Sequence, residues 1–272
     1  MKKTIILMLV LGGLTSFSAQ KITLGKAVDV ASKGAKALTF TNEDAIRLSK
    51  ESVAYMDKNN PVAGAKDPYT VRLNKLFGKH KTQDGLNLNY KVYKVKDINA
   101  FACADGSVRV FSSLMDIMTD DELLAVIGHE IAHVKNQDTK DAIKNAYLKA
   151  AALDAGSAAS GAVATLTNSQ LGTMANAILD ASHSKKQESE ADDYSYNFMK
   201  SNGYNVVGAY TAFKKLELLS SAGGEKQSGF QKMFNSHPAS EKRANNMKKK
   251  AEKDGLWKDP GTVTLPTTKL TK

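Results

Sequence analysis

Between Met118 and Lys135 the chain reads Met-Thr-Asp-Asp-Glu-Leu-Leu-Ala-Val-Ile-Gly-His-Glu-Ile-Ala-His-Val-Lys, and this stretch constrains the fold more than any other. Thr119 followed three positions later by Glu122 is a capping box, which satisfies orphan backbone donors at a helix start. Asp120, Asp121 and Glu122 add negative charge where the helix dipole favours it. The stretch is therefore predicted to be one helix, and side chains four apart on a helix stand one turn above each other. His129 and His133 then share a face and can grip one metal ion between them. Leu124, Ile127, Ile131 and Val134 form an apolar stripe roughly opposite, so the stripe should bury in a core while the imidazoles face a cleft. Glu130 is angled beside the metal position, which suits a base acting on water held there. The same pattern also fits two half-buried histidines on an ordinary amphipathic helix, so a third ligand elsewhere decides between the readings.

A candidate lies in Lys186-Gln187-Glu188-Ser189-Glu190-Ala191-Asp192-Asp193, which runs toward Gly203 as a helix stop. Glu188 and Asp192 share a face. Glu188 can complete a His-His-Glu site that leaves a fourth position for water. Asp192 can accept a hydrogen bond from a ligand histidine. Glu190 competes for the third position on spacing alone, and without the two histidines the run would read as a solvated acidic face.

The rest of the chain sets the context. At 272 residues, 42% hydrophobic and 24% charged, it suits one globular domain with a well-buried core. Lys2 and Lys3 precede the apolar run Ile5 to Leu14, with small polar residues from Thr15 to Ala19, the arrangement of a secretory signal. Cys103 is the only cysteine, which excludes an internal disulfide and favours a buried thiol. The formal charge is +10, with Lys242, Arg243, Lys248, Lys249, Lys250 and Lys253 concentrated near the end. No nucleic-acid motif accompanies them, so a solvated helix face is the expectation.

Helical amphipathic patterning runs from Ile22 to Asn60 and from Pro68 to Phe77. From Gly85 to Val110 the period becomes two, and Asp105-Gly106 is a turn between the short runs Ile98 to Ala102 and Ser107 to Phe111. A small antiparallel sheet is thus expected before the metal helix, with Asn99, Ala100, Phe101 and Ala102 as an exposed edge that could grip a peptide as an added strand. An ordinary core strand is the competing reading. After Asp138 the chain reads helical to about Asp180, and the Ala-, Gly- and Ser-rich segment from Ala150 to Leu166 could form a mobile cover over the cleft.

Taken together, the His129-Glu130-x-x-His133 helix, the Glu188-x-x-Ala191-Asp192 helix and a distal His237-Pro238 with Arg243 beyond it resemble the HtpX/Oma-like gluzincin metallopeptidases. Asn99-Ala-Phe-Ala, Ala104-Asp-Gly-Ser-Val-Arg-Val-Phe-Ser and Leu114-Met-Asp are most similar to the LoiP-type exported branch. The resemblance spans roughly Ala45 to Ala251. It implies one zinc ion per chain held by His129, His133 and Glu188, rather than by Glu190, with Glu130 as general base and acid. It also implies that Asp192 supports the site and that Arg243 organises it. His237 would lie near the metal, stabilising the oxyanion or occupying the open position at rest. Lys185 stands where many relatives have arginine. No cysteine follows the apolar run, so the lipid anchor common in the LoiP-type branch is not expected.

The expectation is an α+β, mostly helical, zincin-like metallopeptidase with a small antiparallel sheet beside the H-E-x-x-H helix. A signal peptide would occupy residues 1–19, the peptidase domain 20–254 and a C-terminal tail 255–272. The chain would be periplasmic or secreted, cleaving unfolded or misfolded envelope proteins, with peripheral membrane association left open and no nucleic-acid partner. The rival expectation is a metal-gated, chaperone-like binding module with little turnover.

Overall fold

The computed structural model describes residues 40–153, 166–222, 233, 235–238 and 241–266. The segment read as a signal, the first part of the helical run from Ile22, and most of the proposed cover lie outside these residues. The described elements are α1 (Asn42–Asn59), α2 (Pro68–Phe77), β1 (Thr82–Gln83), β2 (Leu86–Asn87), β3 (Asn89–Tyr93), β4 (Ala100–Ala102) and β5 (Ser107–Phe111). They continue with α3 (Ser112–Ile117), α4 (Asp120–Lys135), α5 (Lys140–Leu153), α6 (Asn168–Leu179), α7 (Lys185–Ser201), α8 (Val207–Ala222) and α9 (Glu241–Lys253).

Local chemistry accounts for the helix starts. Thr41, Thr119, Thr167 and Ser184 each cap a helix with a reciprocal box, their partners being Asp44, Glu122, Gln170 and Gln187. α2 begins instead with Asp67 as cap and Pro68 in the first turn. In α4 the third capping residue has a second task, because Glu122 Oε2 also receives the buried Lys215 ammonium of α8 at 2.7 Å.

The main sheet has the order β3-β5-β4. β4 and β5 form the expected antiparallel hairpin, with Ala100 opposite Val110 and Ala102 opposite Val108. The third strand corrects the antiparallel expectation: β3 runs parallel to β5, pairing Asn89 with Ser107 through Tyr93 with Phe111. The chain leaves β3, passes to the far side, and inserts β5 between its neighbours, so the sheet is mixed. Gly106 closes the hairpin with φ 82°, and a side chain there would collide with the backbone of Asn87. A second turn at Asp84-Gly85, φ 50° and 81°, joins β1 to β2.

The sheet separates two apolar layers. Val92, Ala100, Ala102, Val108 and Val110 face a core built with α2, α3, α4, α7, α8 and α9. Tyr93, Phe101, Cys103 and Phe111 face the other, built with α1, α5 and α6. Cys103 is fully buried, and burial pushes its thiol well above the usual range, as expected of an inert cysteine. The central strand β5 is buried throughout, including Arg109, only 2% exposed. Its guanidinium makes a two-pronged pair with Asp57 of α1, at 2.8 and 2.9 Å, and Asp57 also takes the Tyr93 hydroxyl and the Lys91 ammonium.

Candidate metal centre

α4 packs most extensively against α7, and the two helices bring the candidate ligands together. Gly128 permits this approach, since a Cβ there would stand 3.1 Å from the Phe198 ring of α7. The stripe of Leu124, Ile127, Ile131 and Val134 is buried as anticipated. The opposite face departs from the expectation of an open cleft: His129, Glu130 and His133 are 3%, 6% and 1% exposed. His237 and Arg243 close over them, so α4 is buried on every side.

Four donors converge. His129 Nε2 lies 3.0 Å from His133 Nε2 and 3.6 Å from Glu188 Oε2, and Glu188 Oε1 lies 3.3 Å from His133 Nε2. His237 Nδ1 completes the group at 3.3 Å from His129 Nε2 and 3.0 Å from Glu188 Oε1. Glu190, the competing ligand, points to solvent and stands 3.7 Å from Lys186.

The outer nitrogens of both helix histidines are engaged by carboxylates. His129 Nδ1 meets Asp192 Oδ1 at 3.0 Å, and His133 Nδ1 meets Asp138 Oδ2 at 2.8 Å. Each contact fixes a ring so that its Nε2 lone pair points at the common centre. Arg243 grips Asp192 through Nε and Nη2 at 2.8 and 2.6 Å, with Nη1 2.7 Å from Glu188 Oε2. That last approach is an ion pair rather than an aligned hydrogen bond, because Glu188 Oε2 accepts none. The Arg243 guanidinium also lies 4.4 Å from the centre of the Phe213 ring.

These residues fit a divalent cation. Donor atoms on a tetrahedral zinc would stand about 3.3 Å apart for bonds of roughly 2.0–2.1 Å, close to the spacings here. Facing lone pairs and a carboxylate at such separations repel one another unless positive charge lies among them. The titration of the cluster shows the same demand. Burial alone would lower His129, but Asp192 and Glu188 outweigh it and raise the ring to about 9. His133 is raised likewise against burial by Asp138 and Glu188. Glu188 is held far below the usual carboxylate range: burial opposes ionisation, and the imidazoles of His129, His133 and His237 beside it overcome that.

Glu130 projects beside this group, with Oε1 3.6 Å from His237 Nε2. A small hollow next to it is bounded by Asn99, Ala100, Phe101, Ala102, Glu130, His133 and His237 among others. The proposed edge strand is therefore at the site. It is not openly exposed, however, because Asn99, Ala100 and Phe101 are all 5% exposed or less, and the Ala100 amide already donates to Asn99 Oδ1 at 2.9 Å.

The sequence reading missed two residues. Asp138 orients His133 and is itself held by Gln187 Nε2 at 3.0 Å. His183 stacks on His133 with ring centres 3.8 Å apart, and burial beside the His133 and His237 rings lowers it to about 3. A third histidine beside an H-E-x-x-H partner helix was a visible signal. Asp138 was not, since Gln137 at φ 60° turns the chain back beneath His133.

Comparison with known proteins gives the arrangement a lineage. The model of Peptidase family M48 matches residues 74–251, from the end of α2 to the end of α9. The chain belongs to peptidase family M48. It is 40% identical over 214 residues to Metalloprotease YcaL of Escherichia coli, covering 78% of this chain and 82% of that one. Metalloprotease LoiP of the same organism is 38% identical over 222 residues, 81% of this chain and 86% of its own. A shorter similarity, 43% over 61 residues, links it to Protease HtpX of Alkalilimnicola ehrlichii, covering 21% of this chain and 20% of that one. As an M48 member the protein is a metallopeptidase, and among the described residues His129, His133, Glu188 and His237 form one group able to hold a metal, with His133, Asp138 and His183 a second that shares His133.

Proposed function

We propose that this M48 chain is an exported zinc endopeptidase that cleaves unfolded or damaged envelope proteins. The observation that carries the reading is the convergence of His129, His133 and Glu188 beside Glu130, with both imidazoles oriented by aspartates. His129, His133 and Glu188 would hold the zinc, and nitrogen with carboxylate ligation suits that ion. Bound zinc supplies a Lewis acid that makes water nucleophilic near neutral pH and polarises a carbonyl.

The remaining work falls to the chain. Glu130 takes the proton of the attacking water and delivers it to the departing amine. His237, with Nε2 on the Glu130 side, donates to the developing oxyanion once Nδ1 leaves the ligand group. Asp192 and Arg243 keep His129 and Glu188 in register. Ala100 and Ala102, on the free side of β4, offer main-chain groups to an extended peptide, with Asn99 giving up the Ala100 amide as the peptide enters. Such capture reads backbone rather than sequence and selects unfolded chain. Export is supported by Lys2, Lys3 and the apolar run that follows. Among the described residues no helix is long and apolar enough to cross a membrane.

Glu130→Gln tests the reading. The variant should retain zinc and lose at least about 100-fold in cleavage of unfolded casein. Unchanged cleavage would remove Glu130 from the mechanism. A second reading, the metal-gated binding module, is favoured by one observation: His237 Nδ1 already sits among the ligands. On that reading Glu130→Gln changes nothing measurable in peptide binding, and the wild type turns over little even when zinc-loaded.

A further inference from the structure

We propose that the cleft continues past the start of β4 into a second hollow, and that this hollow is a specificity pocket for one large apolar side chain of the substrate. The inference rests on the peptidase reading and names what that site prefers. Met56 of α1, Tyr93 and Phe111 at the ends of the two longer strands, Val95 and Leu179 form its apolar wall and Asn60, Asp97 and Asn99 its polar one, around a cavity of about 90 Å³. That is room for one side chain and too little for a folded partner. It adjoins the metal centre, since Asn99 and Leu179 line both this hollow and the one holding Glu130 and His133.

One aromatic cluster forms the wall between the two hollows. Phe101, at the edge strand, packs on Tyr93 and Phe111 with ring centres 6.3 Å from each. A peptide lying along β4 would therefore pass from Ala102 and Ala100 over Asn99 and meet a recess with Met56, Tyr93, Val95, Phe111 and Leu179 as its apolar wall. Strand spacing of about 3.3 Å per residue puts that recess at a position removed from the cut bond rather than beside it. A buried methyl or ring is favoured there by roughly 25 cal/mol per Å² of apolar surface covered. Asp97 is exposed and lines the same hollow, so an acidic side chain is repelled there. The pocket thus selects aromatic or long aliphatic residues, which unfolded chain displays and folded protein hides.

Two variants address the pocket without touching the metal centre. Val95→Phe fills it from a half-buried position that does not line the hollow beside Glu130, and Asp97→Lys reverses the charge at an exposed position. Zinc-loaded wild type is used to digest carboxymethylated casein, and the cut sites are mapped by mass spectrometry. The expected profile shows Leu, Met, Phe or Tyr enriched at least about threefold at one position away from the cut, with Asp and Glu depleted there. Val95→Phe should flatten the apolar preference, and Asp97→Lys should relieve the acidic depletion. Profiles that are the same in wild type and both variants overturn the proposal.

A binding arm separates this outcome from failure of the peptidase reading. Zinc-loaded Glu130→Gln protein, with and without Val95→Phe, is titrated with a fluorescent Gly-Ser peptide carrying one central Phe and with its Ser counterpart. Tighter binding of the Phe peptide that disappears with Val95→Phe supports the pocket even if nothing is cleaved. Equal binding of the two peptides overturns it.

Discussion

His129 and His133 each have one nitrogen left for a cation because a carboxylate holds the other, and the two carboxylates are not equivalent. Asp192 is gripped by Arg243, whereas Asp138 is held by Gln187, a neutral partner that also belongs to the α7 capping box. Asp138→Ala should weaken zinc binding by about 10–100-fold, measured by competition with a chelating dye, and Asp138→Asn should recover part of the loss by keeping an acceptor. Asp192→Ala should cost more, because it leaves Arg243 buried with a missing partner. Equal affinities for Asp138→Ala and wild type would show that His133 needs no orienting group. Of this pair only Asp192 was legible in the sequence, since it lies one turn from Glu188 on a helix whose period could be read. Asp138 follows the end of α4, where a single left-handed residue decides which way the chain turns. The spacing rule for helices gave Glu188 and Glu190 equal standing for the same reason: it fixes which residues share a face, not which face is buried.

α4 owes its position to its two ends as much as to its apolar stripe. Thr119 and Glu122 cap it, Lys215 of α8 is buried against Glu122, and Gly208 at the start of α8 lies so close that a Cβ would stand 2.7 Å from Asp121 backbone. Gly208→Ala should therefore push α8 off the metal helix and destabilise the protein by about 1–3 kcal/mol, read from urea unfolding. Phe213 of α8 supports Arg243, so the same variant should also lower casein cleavage. A variant as stable as wild type would mean that α8 shifts without resistance. The capped helices α4 and α7 and the β4–β5 hairpin were readable because caps, period and turn residues are local signals. The parallel placement of β3 was not, because pairing between distant strands is decided by which faces both layers bury. Arg109 made the reading harder still: a charge in the middle of β5 marks a solvent face in sequence, whereas the protein buries it against Asp57.

At the scale of the molecule, two buried charge clusters tie separate elements together, and each makes stability depend on pH in its own direction. Asp57 ties α1 to the sheet. Burial opposes its ionisation, but Arg109, Lys91 and Tyr93 prevail and lower it from 3.8 to about 2. Its contribution is present above about 4 and fades as pH falls toward 2. Asp57→Asn should cost about 3–5 kcal/mol near neutrality by leaving Arg109 buried and unpaired, and should lack that acid-side decline in a melting profile. The metal centre runs the other way. His129 is raised from 6.5 to about 9 in the metal-free protein, so its proton stabilises the fold below about 6.5 and that contribution is lost as pH rises through about 9. A divalent cation takes the place of that proton, so uptake releases it and apparent affinity falls about tenfold per proton for each unit of acidification below about 9. Chelated protein should lose melting temperature between pH 6.5 and 9 while zinc-loaded protein does not, and the gap between them should widen with pH. At a thousandfold excess of free zinc over its dissociation constant, binding adds about 4 kcal/mol to stability. Parallel melting curves with and without chelator across that range would mean that the cation and the His129 proton do not compete, and that the histidines of α4 are not its ligands.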